Sequence, residues 1–258
     1  MRRALLGLLV AASVVVPSAG SAAGPVLFHG HARPAILVGK GRAQTFSTNW
    51  SGYATYKTGT TFTDVKGTWV QPSATCPSNK AQYSSFWIGI DGYNSSSVEQ
   101  TGTSADCVSK NHASYYAWYE MYPAAPVNLS MTITPGDTIS AEVSASGSTF
   151  TLTITNVTTG ATFTTSQTLS GAPKTSAEWV AEAPSLCFAQ CRVAPLANFG
   201  TVNFSGSFTT GNGHTGSISD SAWSNDQITM VTNGGTVKAQ PSALGGNGQS
   251  FSVTWKHS

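Results

Sequence analysis

From Phe46 to the end of the chain, short runs of alternating apolar and polar residues follow one another, and none sustains the 3.6-residue repeat of an amphipathic helix. FTDVKGTWVQP, SSFWIGIDG, NLSMTITPGD, TISAEVSAS, TFTLTITN, NFGTVNFSGSFT and SFSVTWK are rich in β-branched residues, with Gly, Asn, Asp and Pro between them. In a strand successive side chains point to opposite faces, so each run can bury one face and leave the other for a different use. The pattern predicts an all-β fold, an antiparallel two-sheet β-sandwich in one domain over residues 46–258. No internal repeat is evident.

The first residues belong to another process. MRR is a basic start, ALLGLLVAASVVV an apolar run, and Ser21, Ala22 and Ala23 are the small residues that signal peptidase accepts. Residues 1–23 are therefore expected to be a signal peptide, and the protein to be secreted and extracellular, with no membrane span. Residues 24–45 carry Pro, Gly and cations without a period, and read as a linker or a pro-segment. As a pro-segment, His29, His31, Arg33, Lys40 and Arg42 would lie over a carboxylate-lined cleft.

Of the 13 Lys and Arg, five precede residue 46, which leaves eight against all 11 Asp and Glu and a net charge near −3 for the body. Nucleic acid requires a basic footprint, so it is excluded as a partner. Few charges also mean few ion pairs to lose in acid. The four cysteines allow three pairings, of which Cys76–Cys107 and Cys187–Cys191 are favoured; the first would add about 3 kcal/mol by closing a loop in the unfolded chain. A zinc site has the wrong ligand spacing, and no metal or cofactor is expected.

The chain has no G-x-S-x-G, H-E-x-x-H or S-x-x-K motif and no Asp-Thr/Ser-Gly pair. What it has is acids among aromatic rings. In YYAWYEMYP, Tyr116, Trp118, Glu120 and Tyr122 share one strand face. In FWIGIDG, Trp87, Gly89 and Asp91 share a face opposite Phe86, Ile88 and Ile90. In SAEWVAEAP, Glu178, Val180 and Glu182 share a face, and VEQTG sets Gln100 just before a Thr-Gly pair. Side by side, such strands would make a concave wall of Trp, Tyr, carboxylate and amide.

WIGIDG, EQTG, YAWYEMYP and AEWVAE, in that order, resemble the glutamic peptidases (eqolisins), acid endopeptidases insensitive to pepstatin. NWSGYA, GTWVQP and the terminal FSVTW resemble the family's opening and closing strands, so the likeness spans roughly residues 47–258. It implies a concanavalin-like two-sheet sandwich and a catalytic Gln–Glu dyad, matched here by Gln100 and Glu178. It also implies a substrate cleft formed by Trp87, Asp91, Trp118, Glu120 and Tyr122. The sequence departs from the family at Tyr116, where the fungal form has Asp, and in a longer loop before Asp106.

Chemistry agrees with such a dyad. A carboxylate of ordinary pKa about 4.3 is still partly ionised near pH 4, where a histidine of about 6.5 is protonated and useless as a base. An amide does not titrate. Glu178 would take a proton from water and return it to the leaving amine, while Gln100 stabilises the oxyanion. A polypeptide is the expected partner and the enzyme is expected to act as a monomer. The alternative is a carbohydrate-binding or glycan-cleaving sandwich, since aromatic platforms stack sugars and paired carboxyls hydrolyse glycosides.

Overall fold

The structure, a computed structural model, describes residues 26–30 and 45–258. The expected signal peptide, and His31, Arg33, Lys40 and Arg42 of the segment after it, lie outside the described residues. The described residues form strands and no helix: β1 (Val26–Phe28), β2 (Thr45–Ser47), β3 (Trp50–Tyr56), β4 (Phe62–Val70), β5 (Ser85–Ile90), β6 (Val98–Ser109), β7 (His112–Tyr122), β8 (Val127–Asn128), β9 (Thr138–Ser146) and β10 (Thr149–Asn156). The order continues with β11 (Ala161–Thr168), β12 (Ser176–Glu182), β13 (Ser185–Cys187), β14 (Cys191–Val193), β15 (Thr201–Gly211), β16 (His214–Ser217), β17 (Ser224–Val231), β18 (Val237–Pro241) and β19 (Phe251–Trp255).

One hydrogen-bonded path runs β11-β10-β9-β4-β15-β19-β18-β17-β3-β12-β5-β6-β7-β8. It folds over on itself: β4 packs across β5 and β12, and β9 across β5 and β6. The result is the antiparallel sandwich expected from the alternating runs, its two layers joined through β19, β18 and β17. Among the described strands, β2 alone runs parallel to its neighbour, β17. A small second sheet, β1-β13-β14, stands at the end of β12.

The inward faces make the core. Phe62, Val65 and Trp69 of β4, Ile139 and Val143 of β9 and Phe150 and Leu152 of β10 meet Phe86, Ile88 and Ile90 of β5 and Trp179 of β12. Burying each large side chain contributes about 1.5–3 kcal/mol. The two core indoles also satisfy their N–H groups across the layers, Trp69 Nε1 on Thr103 Oγ1 at 2.9 Å and Trp179 Nε1 on the Lys66 carbonyl at 2.7 Å. A buried indole N–H left without a partner would cost free energy, so these bonds also fix how the layers face each other. Both favoured disulfides are formed, Cys76–Cys107 and Cys187–Cys191.

The opposite face of β3, β5, β6, β7 and β12, with β17 beside β3, carries a second apolar cluster, Trp50, Ala54, Trp87, Val98, Trp118, Val180 and Ile228. All of β5 and β12 is buried on both faces. The aromatic wall predicted from alternation is therefore present and covered, in part by residues 26–30.

Candidate active site

Antiparallel register places residues from four strands in rows. Glu178, Gly89, Gln100 and Glu120 form one row across β12, β5, β6 and β7; Val180, Trp87, Gly102 and Trp118 form the next; Glu182, Ser85, Ser104 and Tyr116 form the third. Directly opposed residues share a face. Strand β3 extends the rows with Ala54, Gly52 and Trp50. Glu178, Glu182, Gln100, Glu120, Trp87 and Trp118 thus occupy one surface, and every one of them is buried.

Within that surface the groups divide into two clusters. Gln100 Nε2 lies 3.4 Å from Glu120 Oε2. Glu182 is held from two sides, Trp87 Nε1 donating to Oε2 at 2.9 Å and Asn49 Nδ2 donating to Oε1 at 3.4 Å. The charge of Glu182 is felt at Glu120, whose pKa is pushed up to about 9, chiefly by burial and then by this like charge, against the main-chain N–H of His29 that favours ionisation.

Glu178 belongs to the other cluster. Only Gly89 separates it from Gln100 in the row, but the Trp87 ring covers that glycine: a β-carbon there would sit 3.2 Å from the indole and 3.0 Å from Gln100 Cβ. Neither buried Glu178 carboxyl oxygen has a hydrogen bond of ordinary geometry, although the Ser176 hydroxyl and the Tyr93 N–H lie near enough to favour its ionisation. Its pKa is raised well above the usual carboxylate range by burial, and further by Asp91 and Glu99. Glu99 is raised to about 8 by burial and by Asp91. Glu178, Glu99 and Asp91 thus form a second group of buried, mutually repelling acids.

The remaining sequence candidates are placed as follows. Trp118 donates from Nε1 to Ser104 Oγ at 3.1 Å, which fixes its ring plane. Tyr122 closes one end of the surface against Phe28, rings 6.3 Å apart and edge-on. Asp91 is committed to the fold: its backbone is left-handed, and its carboxylate accepts the Lys174 N–H at 2.7 Å and the Thr175 N–H at 2.8 Å. It fastens the β5–β6 turn to the lead-in of β12 and has no contact with Gln100 or Glu120 among its hydrogen bonds.

Residues 26–30 lie along the same surface. β1 pairs antiparallel with β13, Val26 to Cys187, Leu27 to Leu186 and Phe28 to Ser185. The next residue, His29, donates its main-chain N–H to Glu120 Oε2 at 2.8 Å, and its carbonyl accepts a hydrogen bond from Gln100 Nε2. The Gly30 carbonyl accepts from Trp50 Nε1 at 3.1 Å. The His29 ring stacks on Trp118, centroids 3.6 Å apart and planes 4° from parallel, with Nδ1 3.5 Å from Glu182 Oε2. Burial lowers the His29 pKa to about 3, so the ring is neutral above that.

Sequence reasoning left out Asn49 and Trp50, and gave no role to Glu182 or to the main chain of His29 and Gly30. The signals existed. NWSGYA is one of the motifs already singled out, and Glu182 shares the Glu178 face one row past Trp87. Nothing local in VLFHG distinguishes a strand that fills a cleft from a linker.

Residues 48–255 match the model of the peptidase A4 family. Scytalido-glutamic peptidase, solved with a transition state analog inhibitor, aligns with a TM-score of 0.70 and 27% identity over 81% of this chain and 98% of its own. SCP-B, a member of the eqolisin family solved with the tripeptide Ala-Ile-His, gives 0.68 and 27% over 81% and 98%. Aspergilloglutamic peptidase from Aspergillus niger gives 0.59 and 31% over 68% of this chain and 99% of its own. No curated protein sequence matches. On the family match and these neighbours, the chain belongs to the peptidase A4 family, the eqolisins, and is a glutamic endopeptidase.

Proposed function

We propose that the protein is a secreted acid endopeptidase in which Gln100 and Glu182 act on the scissile peptide bond, with Glu120 binding the substrate main chain. One observation carries this reading: the Gln100 amide donates to a main-chain carbonyl while Glu120 accepts the N–H of the same residue and Glu182 stands beside it. In this reading Glu182, oriented by Trp87 and Asn49, takes a proton from water. The water oxygen attacks the carbonyl carbon, Gln100 Nε2 stabilises the oxyanion, and Glu182 passes the proton to the leaving amine.

Glu182 replaces Glu178 in this proposal because the electrostatic neighbours of Glu178 are Asp91 and Glu99, whereas those of Glu120 include Glu182. The binding of Ala-Ile-His by SCP-B is consistent with a cleft that takes extended peptide. The leader-like residues 1–23 support secretion. The carbohydrate alternative needs two carboxyls flanking one bond and does not use the amide at the centre of the cleft.

The test is cleavage of a denatured protein between pH 3 and 7, with pepstatin and a chelator as controls. Acid activity resistant to both agents is expected, and Gln100→Ala should lower kcat by about 10²–10³, the effect of one lost oxyanion donor. Wild-type rates in Gln100→Ala would remove the amide from the mechanism.

A further inference from the structure

We infer that the disulfide-closed hairpin β13–β14 is a substrate-docking element: it takes the substrate main chain as an added strand and, with Tyr122 and Pro123, forms a pocket for an aromatic side chain one residue ahead of the carbonyl that meets Gln100. The inference deepens the peptidase reading given above and rests on it, through the Gln100 contact alone.

Residues 26–28 show how an extended chain lies on the hairpin. Val26, Leu27 and Phe28 pair antiparallel with Cys187, Leu186 and Ser185. A strand added in this way takes its direction and register from main-chain groups, whatever its side chains. β13 presents this edge because β14 pairs along its other side, and the Cys187–Cys191 disulfide closes the pair. Only Ala183 and Pro184 separate β13 from β12, so register on the hairpin is passed to the row that holds Glu182. The carbonyl of His29, the residue after Phe28, then accepts from Gln100 Nε2.

The side-chain preference comes from the walls. Phe28 is edge-on to Tyr122 and stands directly opposite Ser185. A cavity of about 210 Å³ adjoins Phe28, lined also by Tyr122, Pro123, Ser185, Cys187 and Cys191. These walls are rings and a disulfide with no charged side chain, a surface that favours an apolar ring over a polar or charged group. Serine keeps the space open: Ser185 is small and buried, and its Oγ has no hydrogen-bond partner among the described residues. A larger apolar side chain at 185 would fill the cavity.

The test uses the full chain at pH 4 and kcat/KM on matched peptides. One pair has phenylalanine or alanine at the position corresponding to Phe28. A second pair either reaches back to the position of Val26 or stops at that of Phe28. The wild type should prefer phenylalanine by about tenfold or more, the scale of burying one aromatic side chain, and should cleave the longer peptide faster. Ser185→Leu should reduce the phenylalanine-to-alanine ratio at least about tenfold. Joint replacement Cys187→Ser and Cys191→Ser should reduce the long-to-short ratio. Ratios unchanged in these variants, or a loss of equal size on every peptide, would overturn the inference and leave the peptidase reading intact. No cleavage of any peptide by the wild type would overturn the peptidase reading and the inference with it.

Discussion

Single residues decide how the cleft is divided. Glu178 and Glu182 lie on one face of β12, four residues apart, and differ in what surrounds them. Glu182 receives two N–H donors and adjoins the His29 ring; Glu178 has two buried oxygens with no hydrogen bond of ordinary geometry, and Asp91 and Glu99 as charged neighbours. Alternation shows that both acids face the wall, but the indole of Trp87 over Gly89, between Glu178 and Gln100, is a side-chain placement that no spacing rule predicts. Glycine has a second structural use at Gly67, where β4 crosses the opposite layer. A β-carbon there would lie 2.9 Å from both Ile88 Cγ2 and Trp179 Cδ1. Overpacking of this kind costs about 1–3 kcal/mol, so Gly67→Ala should lower Tm by about 2–10 °C in thermal denaturation. An unchanged Tm would mean that the layers can separate locally at no cost.

At the scale of elements, the strands of the sandwich were legible because each carries its own alternation. β5 shows it in Phe86, Ile88 and Ile90 against Trp87 and Gly89, and β7 in Ala117 against Trp118 and Glu120. The order of strands in the path was not legible, since β12 inserting between β3 and β5 depends on pairing far apart in the chain. β1 was missed for a different reason. Its three residues bond to the backbone of β13 and its neighbour His29 to side chains of β6 and β7. That element is defined by the surface it covers and has almost no signature of its own. Of the groups expected to hold the pro-segment only His29 lies among the described residues, and the contacts of residues 26–30 are main-chain hydrogen bonds, two ring contacts and the approach of the His29 ring to Glu182.

For the molecule as a whole, the buried acids set the pH range in which the fold is stable. Burial raises Glu99 to about 8, Asp106 to about 7 and Glu120 to about 9, and raises Glu178 as well. In the unfolded chain these groups ionise near 4–4.5. Below that range both states are protonated and the fold keeps its full stability; as pH rises from about 4.5 to the folded values of about 7 to 9, the unfolded state ionises first and is progressively favoured. Glu142 and Asp220, whose pKa values are lowered, act in the opposite direction, but they lie nearer the surface and contribute less. Denaturant unfolding should therefore show a clearly higher midpoint at pH 4 than at pH 8. Equal stability at the two pH values would show that water reaches these carboxyls.

The central claim is that the amide of Gln100 and the carboxylate of Glu182 act on one peptide carbonyl. It is tested most directly by kcat/KM on a small peptide at pH 4, measured for protein lacking residues 1–44 and carrying either Glu182→Gln or Glu178→Gln. The account predicts a loss of about 10²–10⁴ for Glu182→Gln, the scale of a lost general base, and a change of no more than a few-fold for Glu178→Gln, where an amide replaces an acid that is already neutral. The reverse pattern, with Glu182→Gln active and Glu178→Gln dead, would contradict it.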